Sequence, residues 1–181
     1  MKEYSLEEVC VKITDGSHFS PKDVGSGYPM LSVKDMEEYD FNRTACKYIS
    51  YEDFDRLKKQ DCVPKENDVL VAKDGSYLKH IFVCEKEREE GILSSIAIFR
   101  PNTAIIEPKY LMYLLKSPQV FNDVKNNYVS GSVLPRIVLK DFKKVTFNIP
   151  ALEQQNKVVE ILSPIDRKIR LNKQINNNLA A

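Results

Sequence analysis

From Pro150 onward the chain places Val158, Ile161, Leu162, Ile165, Ile169, Ile175 and Leu179 mostly three or four residues apart, with Lys, Arg, Gln and Asn filling the positions between them. That spacing is one stripe of an α-helix. A lone helix cannot bury its own stripe, so this tract must pack against something else. Ser163-Pro164-Ile165-Asp166 supplies an N-cap serine, a proline at the first helical position and an acid at the third. It predicts a short helix ending near Leu162 and a second starting at Ser163. Counted to Ala181, the second helix spans about 28 Å at 1.5 Å per residue. Asn172, midway between Ile165 and Leu179, puts a polar seat in the apolar row. It either fixes register between packed helices or faces solvent.

Residues 1–150 are different in kind. Ser5 with Glu8 three positions on has the pattern of a capping box and predicts a short helix there. Ile13 to Pro21 is dense in turn formers and reads as an exposed loop. Residues 28–33 and 47–50 are short β-prone runs, followed by a polar helix over about 52–59. Val69-Leu70-Val71-Ala72 is a buried-type strand, ended by a tight turn at Lys73-Asp74-Gly75-Ser76. Residues 77–84 return as a second strand, 85–90 form a solvent-facing charged turn, and 92–100 form a further strand closed by Pro101. Tyr110, Leu111, Leu114 and Leu115 share one helix face, and a second helix spans 118–127. No internal repeat is present. The expected architecture is α+β: a mixed, mostly β domain with peripheral helices over 1–150, followed by a helical region over 151–181.

A chain of 181 residues, 43% hydrophobic and 29% charged, supports one ordinary core plus an appendage. No apolar run is long enough to span a bilayer and the first residues lack a signal region, so cytoplasmic residence is expected. Cys10, Cys46, Cys62 and Cys84 form no CxxC pair, and only two histidines are present, so no metal site is expected. Free buried thiols fit better than disulfides. The net charge of +1 hides a gradient, because residues 109–144 hold seven Lys/Arg against two Asp/Glu. Lys109, Lys116, Lys125, Arg136, Lys140, Lys143 and Lys144 are a candidate footprint for nucleic-acid phosphates, or else a solvated helix surface.

The C-terminal tract, from Ile149-Pro150-Ala151-Leu152-Glu153-Gln154-Gln155 through Glu160-Ile161-Leu162-Ser163 to Leu171-Asn172 and Ile175-Asn176, resembles the conserved helical region of the DNA-specificity subunits of type I restriction-modification systems. Gly131-Ser132, Asp68-Val69-Leu70 leading to Gly75-Ser76, and Thr14-Asp15-Gly16-Ser17-His18 look like recurring landmarks of that family's target-recognition domain. The resemblance covers nearly the whole chain. It implies a recognition domain joined to a long spacer or dimerisation helix. It also implies that this chain binds one half of a bipartite double-stranded DNA target without catalysing anything or holding a cofactor. The family's methyltransferase (modification) and restriction/translocase subunits dock on it and are expected to carry S-adenosylmethionine, ATP and Mg2+. Full subunits have two recognition domains and two spacers, so the chain is expected either to pair with a copy of itself through its helices or to be one half of a longer subunit. Ile165, Ile169, Asn172, Ile175 and Leu179 are the expected helix-packing positions. The second helix, at about 28 Å, falls short of the roughly 34 Å of one DNA turn between half-sites.

Base reading needs donors and acceptors at groove edges, and loops carry them most readily. Lys73, Ser76, Tyr77 and Lys79 flank a glycine that permits close backbone approach, although an ordinary surface hairpin has the same composition. Ser130, Ser132 and Arg136 form a second candidate loop, in which Arg136 grips a phosphate or guanine or is a rim charge. His18 is the candidate from the first loop. Two other functions compete. One is a metal nuclease using Asp68 or Asp74 with Glu107-Pro108-Lys109, which Pro108 argues against because it breaks the strand such an arm occupies. The other is an oligomerising adaptor without a DNA role. No phosphate loop, nucleophile elbow or amino-methyltransferase tetrapeptide is present.

Overall fold

The computed structural model describes residues 1–75, 77–130 and 136–179, with the backbone alone at Ser130 and Arg136. A four-stranded antiparallel sheet in the order β2-β8-β5-β6 forms its centre, from β2 (Cys10–Asp15), β5 (Val69–Ala72), β6 (Ile81–Val83) and β8 (Ile96–Pro101). β5, β6 and the first four residues of β8 read as unbroken apolar runs because both faces of the sheet are covered there. Side chains alternate across a strand, so Val69, Val71, Ile81, Ala97 and Phe99 enter one core while Leu70, Ala72, Phe82, Ile96 and Ile98 enter another. The first core is closed by α1 (Leu6–Val9), α3 (Pro108–Lys116), α4 (Pro118–Asn127) and α5 (Leu139–Phe142). The second is closed by Leu31, Met36 and Phe41.

A smaller sheet, β4-β3-β7, joins β3 (Tyr28–Leu31) to β4 (Lys47–Ile49) antiparallel and to β7 (Gly91–Ile92) parallel. The helix α2 (Tyr51–Lys59) seats Phe54 and Leu57 on it. Two further antiparallel pairs complete the body. β9 (Val129–Ser130) pairs with β10 (Arg136–Ile137), and β1 (Lys2–Ser5) pairs with β11 (Thr146–Ile149). The α+β class, with mixed sheets and peripheral helices, is the one expected from the sequence.

Several local expectations need correction. The C-terminal tract is one helix, α6, from Leu152 to Leu179 with Pro164 inside it, and not two helices meeting at Ser163. Its 28 residues span about 42 Å at 1.5 Å per residue, more than one DNA turn. Pro164 removes the hydrogen bond to the Glu160 carbonyl, but Glu160 is exposed, so water can satisfy it. Contacts to the body on both sides of the proline, from Gln155 and from Asp166 and Lys173, hold the helix through it.

The segment after Ile13 is not a wholly exposed loop. Ile13 to Asp15 belong to β2, and Gly16 and Ser17 are buried. A Cβ on Gly16 would stand 2.3 Å from the Ile92 carbonyl oxygen, so only glycine allows this approach. Residues 92–100 are split between two sheets by a turn in which Ile96 N–H donates to Leu93 O at 3.0 Å. The expected strand over 77–84 begins only at Ile81, because Leu78 turns the chain with φ +56° and donates its N–H to Ala72 O at 2.9 Å. The charged run 85–90 folds inward at its end. Glu90 is buried and accepts from Arg43 at 2.9 and 3.0 Å and from Arg88 at 3.0 Å.

Candidate nucleic-acid interface

Asp15 is paired with Ala97 and Ala72 with Ile96, so β2 and β5 both end at the edge where β8 begins. The segments after Asp15 and after Ala72 therefore leave the sheet side by side, next to the turn at Leu93–Ser95. Ser17 N–H donates to Ile92 O at 2.8 Å and Ser94 N–H to Ser17 O at 3.0 Å, fixing the first segment to that turn. Ser17 Oγ accepts from Phe19 N–H at 3.1 Å, which folds the chain at exposed His18 and Phe19. Lys73 N–H donates to Ser95 O at 3.0 Å and Lys73 O accepts from Ile137 N–H at 3.1 Å. Strand β10, which follows residues 131–135, is thereby tied to the same edge. Three stretches far apart in sequence meet here.

Their side chains are linked by charge. Lys73 Nζ lies 3.3 Å from Asp15 Oδ2 and 3.6 Å from Asp74 Oδ1, and its side chain is only 12% exposed. The Oδ1 atom of Asp74 is buried without a hydrogen-bond partner among the described residues. His18 Nε2 lies 3.4 Å from Asp15 Oδ1 with 77% of its side chain exposed, presenting a ring that can donate or accept. Tyr77 is half-buried, its ring 6.1 Å from that of Phe121 and 12° from parallel. Lys79 is exposed. Ser130 and Arg136 are placed by backbone in β9 and β10, whereas Ser76 and Ser132 lie outside the described residues. His80 immediately precedes β6. Burial lowers the pKa of its imidazole, with Lys79 adding to the effect.

The basic tract 109–144 does not form one open face. Lys109 pairs with Glu85 at 2.7 Å, Lys143 with Glu7 at 3.7 Å and Lys144 with Asp141 at 3.8 Å. Lys116 reaches the Tyr39 ring, and burial lowers its pKa. Lys125 and Lys140 are exposed and have no ion pair among the described residues. The candidate nuclease acids are dispersed as well. Asp68 and Asp74 flank opposite ends of β5, and buried Asp68 is held by Arg100 through two bonds of 2.9 Å. Glu107 caps α3 by accepting from Tyr110 N–H at 2.6 Å. Among the described residues no group of three or more His, Cys, Asp or Glu is arranged to hold a metal ion, and no helix is long and apolar enough to cross a membrane.

The junction between the body and α6 rests on residues whose roles the sequence does not signal. Gln155 is fully buried. Its Oε1 accepts from Glu107 N–H, and its amide nitrogen donates to the Ile105 and Pro150 carbonyls, all at 2.9 Å. Tyr113 Oη donates to Asp166 at 2.8 Å, and burial together with that carboxylate pushes its pKa up to about 12. Lys173 hydrogen-bonds to Glu38. Between these contacts lies a cleft of about 520 Å³, walled by Tyr39, Phe82, Met112, Arg167 and Arg170. The outward face of α6 is uncovered, with Ile161, Ile165, Ile175 and Leu179 more than half exposed and Ile169 at 41%. Asn172 is exposed in the same stretch.

Known proteins share this fold. The chain is 31% identical over 150 residues to the type I restriction enzyme MjaVIII specificity subunit of Methanocaldococcus jannaschii, covering 82% of this chain and 31% of that one. It is 28% identical over 186 aligned positions to the HindI specificity subunit of Haemophilus influenzae, covering 98% and 38%. The chain thus spans about a third of the curated relatives it matches. Its fold superposes on the HsdS subunit from Thermoanaerobacter tengcongensis with a TM-score of 0.64 at 17% identity, over 96% of this chain and 44% of that one. A chain from a type I R-M system solved to explain complex assembly and conformational transition gives a TM-score of 0.66 at 21% identity, over 96% and 40%. The family described as the type I restriction modification DNA specificity domain matches residues 1–181. The chain belongs to that family.

Proposed function

We propose that this chain reads one half of a bipartite DNA sequence and serves as the specificity component, or one half of it, of a type I restriction-modification complex. The observation that carries the reading is the meeting of three distant chain segments at one end of the central sheet. Such an edge can offer His18, Tyr77 and Lys79 to a groove, with Ser130 and Arg136 in the adjoining β9 and β10; Ser76 and Ser132 are kept as candidates from the sequence alone. Membership of a specificity-domain family supports the same conclusion.

In this reading the chain performs no bond-breaking step. Methyltransferase subunits bearing S-adenosylmethionine and restriction subunits using ATP and Mg2+ dock on it and act where it binds. The exposed stripe of α6, with Ile165, Ile169, Ile175 and Leu179 around Asn172, packs against a second such helix, from another copy or from the other half of a longer chain. Joining two half-sites raises avidity without new contacts.

Methylome sequencing of cells carrying this chain with its methyltransferase partner tests the reading. The expected result is one bipartite methylated motif that disappears when the chain is deleted, palindromic if identical copies pair. Methylation unchanged by the deletion would reject it. The purified chain is expected to bind duplex DNA with an affinity that falls steeply with salt and to leave that DNA uncut in Mg2+. Equal affinity for every duplex would favour an adaptor instead.

A further inference from the structure

We infer that Lys73 is a positioning residue for sequence reading: its ammonium holds the DNA-facing segments in register from beneath and does not itself contact phosphate. The inference rests on the function proposed above and assigns the work within that site. A lysine that grips phosphate must extend into solvent, yet the Lys73 side chain is 12% exposed and its Nζ sits between Asp15 and Asp74. Its backbone is committed too, with the N–H to Ser95 and the carbonyl to Ile137. One residue therefore touches the last residue of β2, its own turn, the turn before β8, and strand β10.

The carboxylates explain why a cation is needed there. Asp15 ends β2 and Asp74 follows β5, on either side of β8, and both face the same ammonium; the buried Asp74 Oδ1 has no hydrogen-bond partner among the described residues. With the ammonium gone, like charges would drive the two segments apart. His18 would move with them, because its imidazole rests on the other oxygen of Asp15. Reading a base edge by paired hydrogen bonds demands fixed geometry, whereas attraction to phosphate tolerates loose geometry. Loss of Lys73 should therefore reduce discrimination before it reduces non-specific affinity.

The test selects duplexes from a randomised pool with the full chain, then measures affinity for the selected and for scrambled duplexes across a salt series. Lys73→Met should lower the selected-to-scrambled affinity ratio by about tenfold or more while leaving the slope of log affinity against log salt unchanged. Asp15→Asn, the milder variant, should lower the same ratio. The double variant should lose less than the product of the two, since it also removes the repulsion. Lys79→Met is the contrast. If that exposed lysine meets phosphate, its slope should shrink by about 0.9 with the ratio preserved. A smaller slope and an intact ratio for Lys73→Met would overturn the inference and make Lys73 a phosphate contact. An intact ratio for Asp15→Asn in a chain that melts like the parent would also overturn it. If the parent chain itself selects no sequence, it is the proposed DNA-reading function that fails.

Discussion

The central sheet and helix α6 solve opposite problems. Every residue of β5 and β6 is buried, because each strand has a core on either side. Along α6 only Gln155 is buried, and Ile161, Ile165, Ile169, Leu171, Ile175 and Leu179 face water. Burial of a side chain such as Leu or Ile contributes about 1.5–3 kcal/mol relative to exposure, so the sheet stabilises itself while the helix has that contribution still to gain. The body attaches the helix by polar contacts at Gln155, Asp166 and Lys173 and leaves its apolar stripe for another surface. The difference separates the part of the chain stabilised by burial from the part whose apolar stripe is still uncovered.

Four outcomes would sharpen or break that comparison. The largest is in the body. Arg100→Met strands the buried Asp68 carboxylate, and urea unfolding should show a loss of about 3–5 kcal/mol. Next is the seam. Gln155→Ala leaves the Glu107 N–H and two carbonyls without their partner and should cost about 1–3 kcal/mol, with faster amide exchange at Ile106–Glu107 than elsewhere in the body.

Acid gives a smaller effect on the body. Burial alone would raise the Asp61 carboxyl, but hydrogen bonds from Arg100, Lys12 and Lys65 outweigh it and hold its pKa well below the usual carboxylate range. A depressed folded pKa adds stability that is present above the unfolded value of about 3.9 and lost as pH falls towards the folded one. Stability measured from pH 7 down to pH 2 should therefore fall less in Asp61→Asn than in the parent.

The smallest effect on folding belongs to α6. Ile165→Asp with Ile169→Asp should change monomer stability by no more than about 0.5 kcal/mol while abolishing self-association in sedimentation. A loss as large as that of Arg100→Met would mean that the stripe supports the body, and the comparison would fail.

Periodicity made much of the frame legible. Pro118–Asn127 is a helix as its pattern indicates, Ser5 and Glu8 do form a capping box, and the apolar runs at 69–72 and 96–99 are core strands. What escaped depends on contacts between distant residues. Gln154 and Gln155 are identical and adjacent in sequence, yet one is exposed and the other is the most heavily hydrogen-bonded side chain at the seam. Lys73 reads as a surface cation because nothing local announces Asp15 across the sheet edge. Ser163-Pro164 reads as a helix start because capping preferences are local, whereas the helix is carried through the proline by Tyr113 and Glu38.

The pairing of β1 with β11 sets Lys2 opposite Ile149, immediately before α6 begins. A contact of such sequence separation forms late, because nearly the whole chain must be closed into a loop to make it. On a ribosome, which releases roughly 5–20 residues per second, the first strand must wait for almost every other part of the body to emerge. Helix α6 follows the body out of the tunnel within a few seconds. Its uncovered stripe thus emerges only on chains already long enough to finish their sheet, so the body can close before that apolar surface is presented.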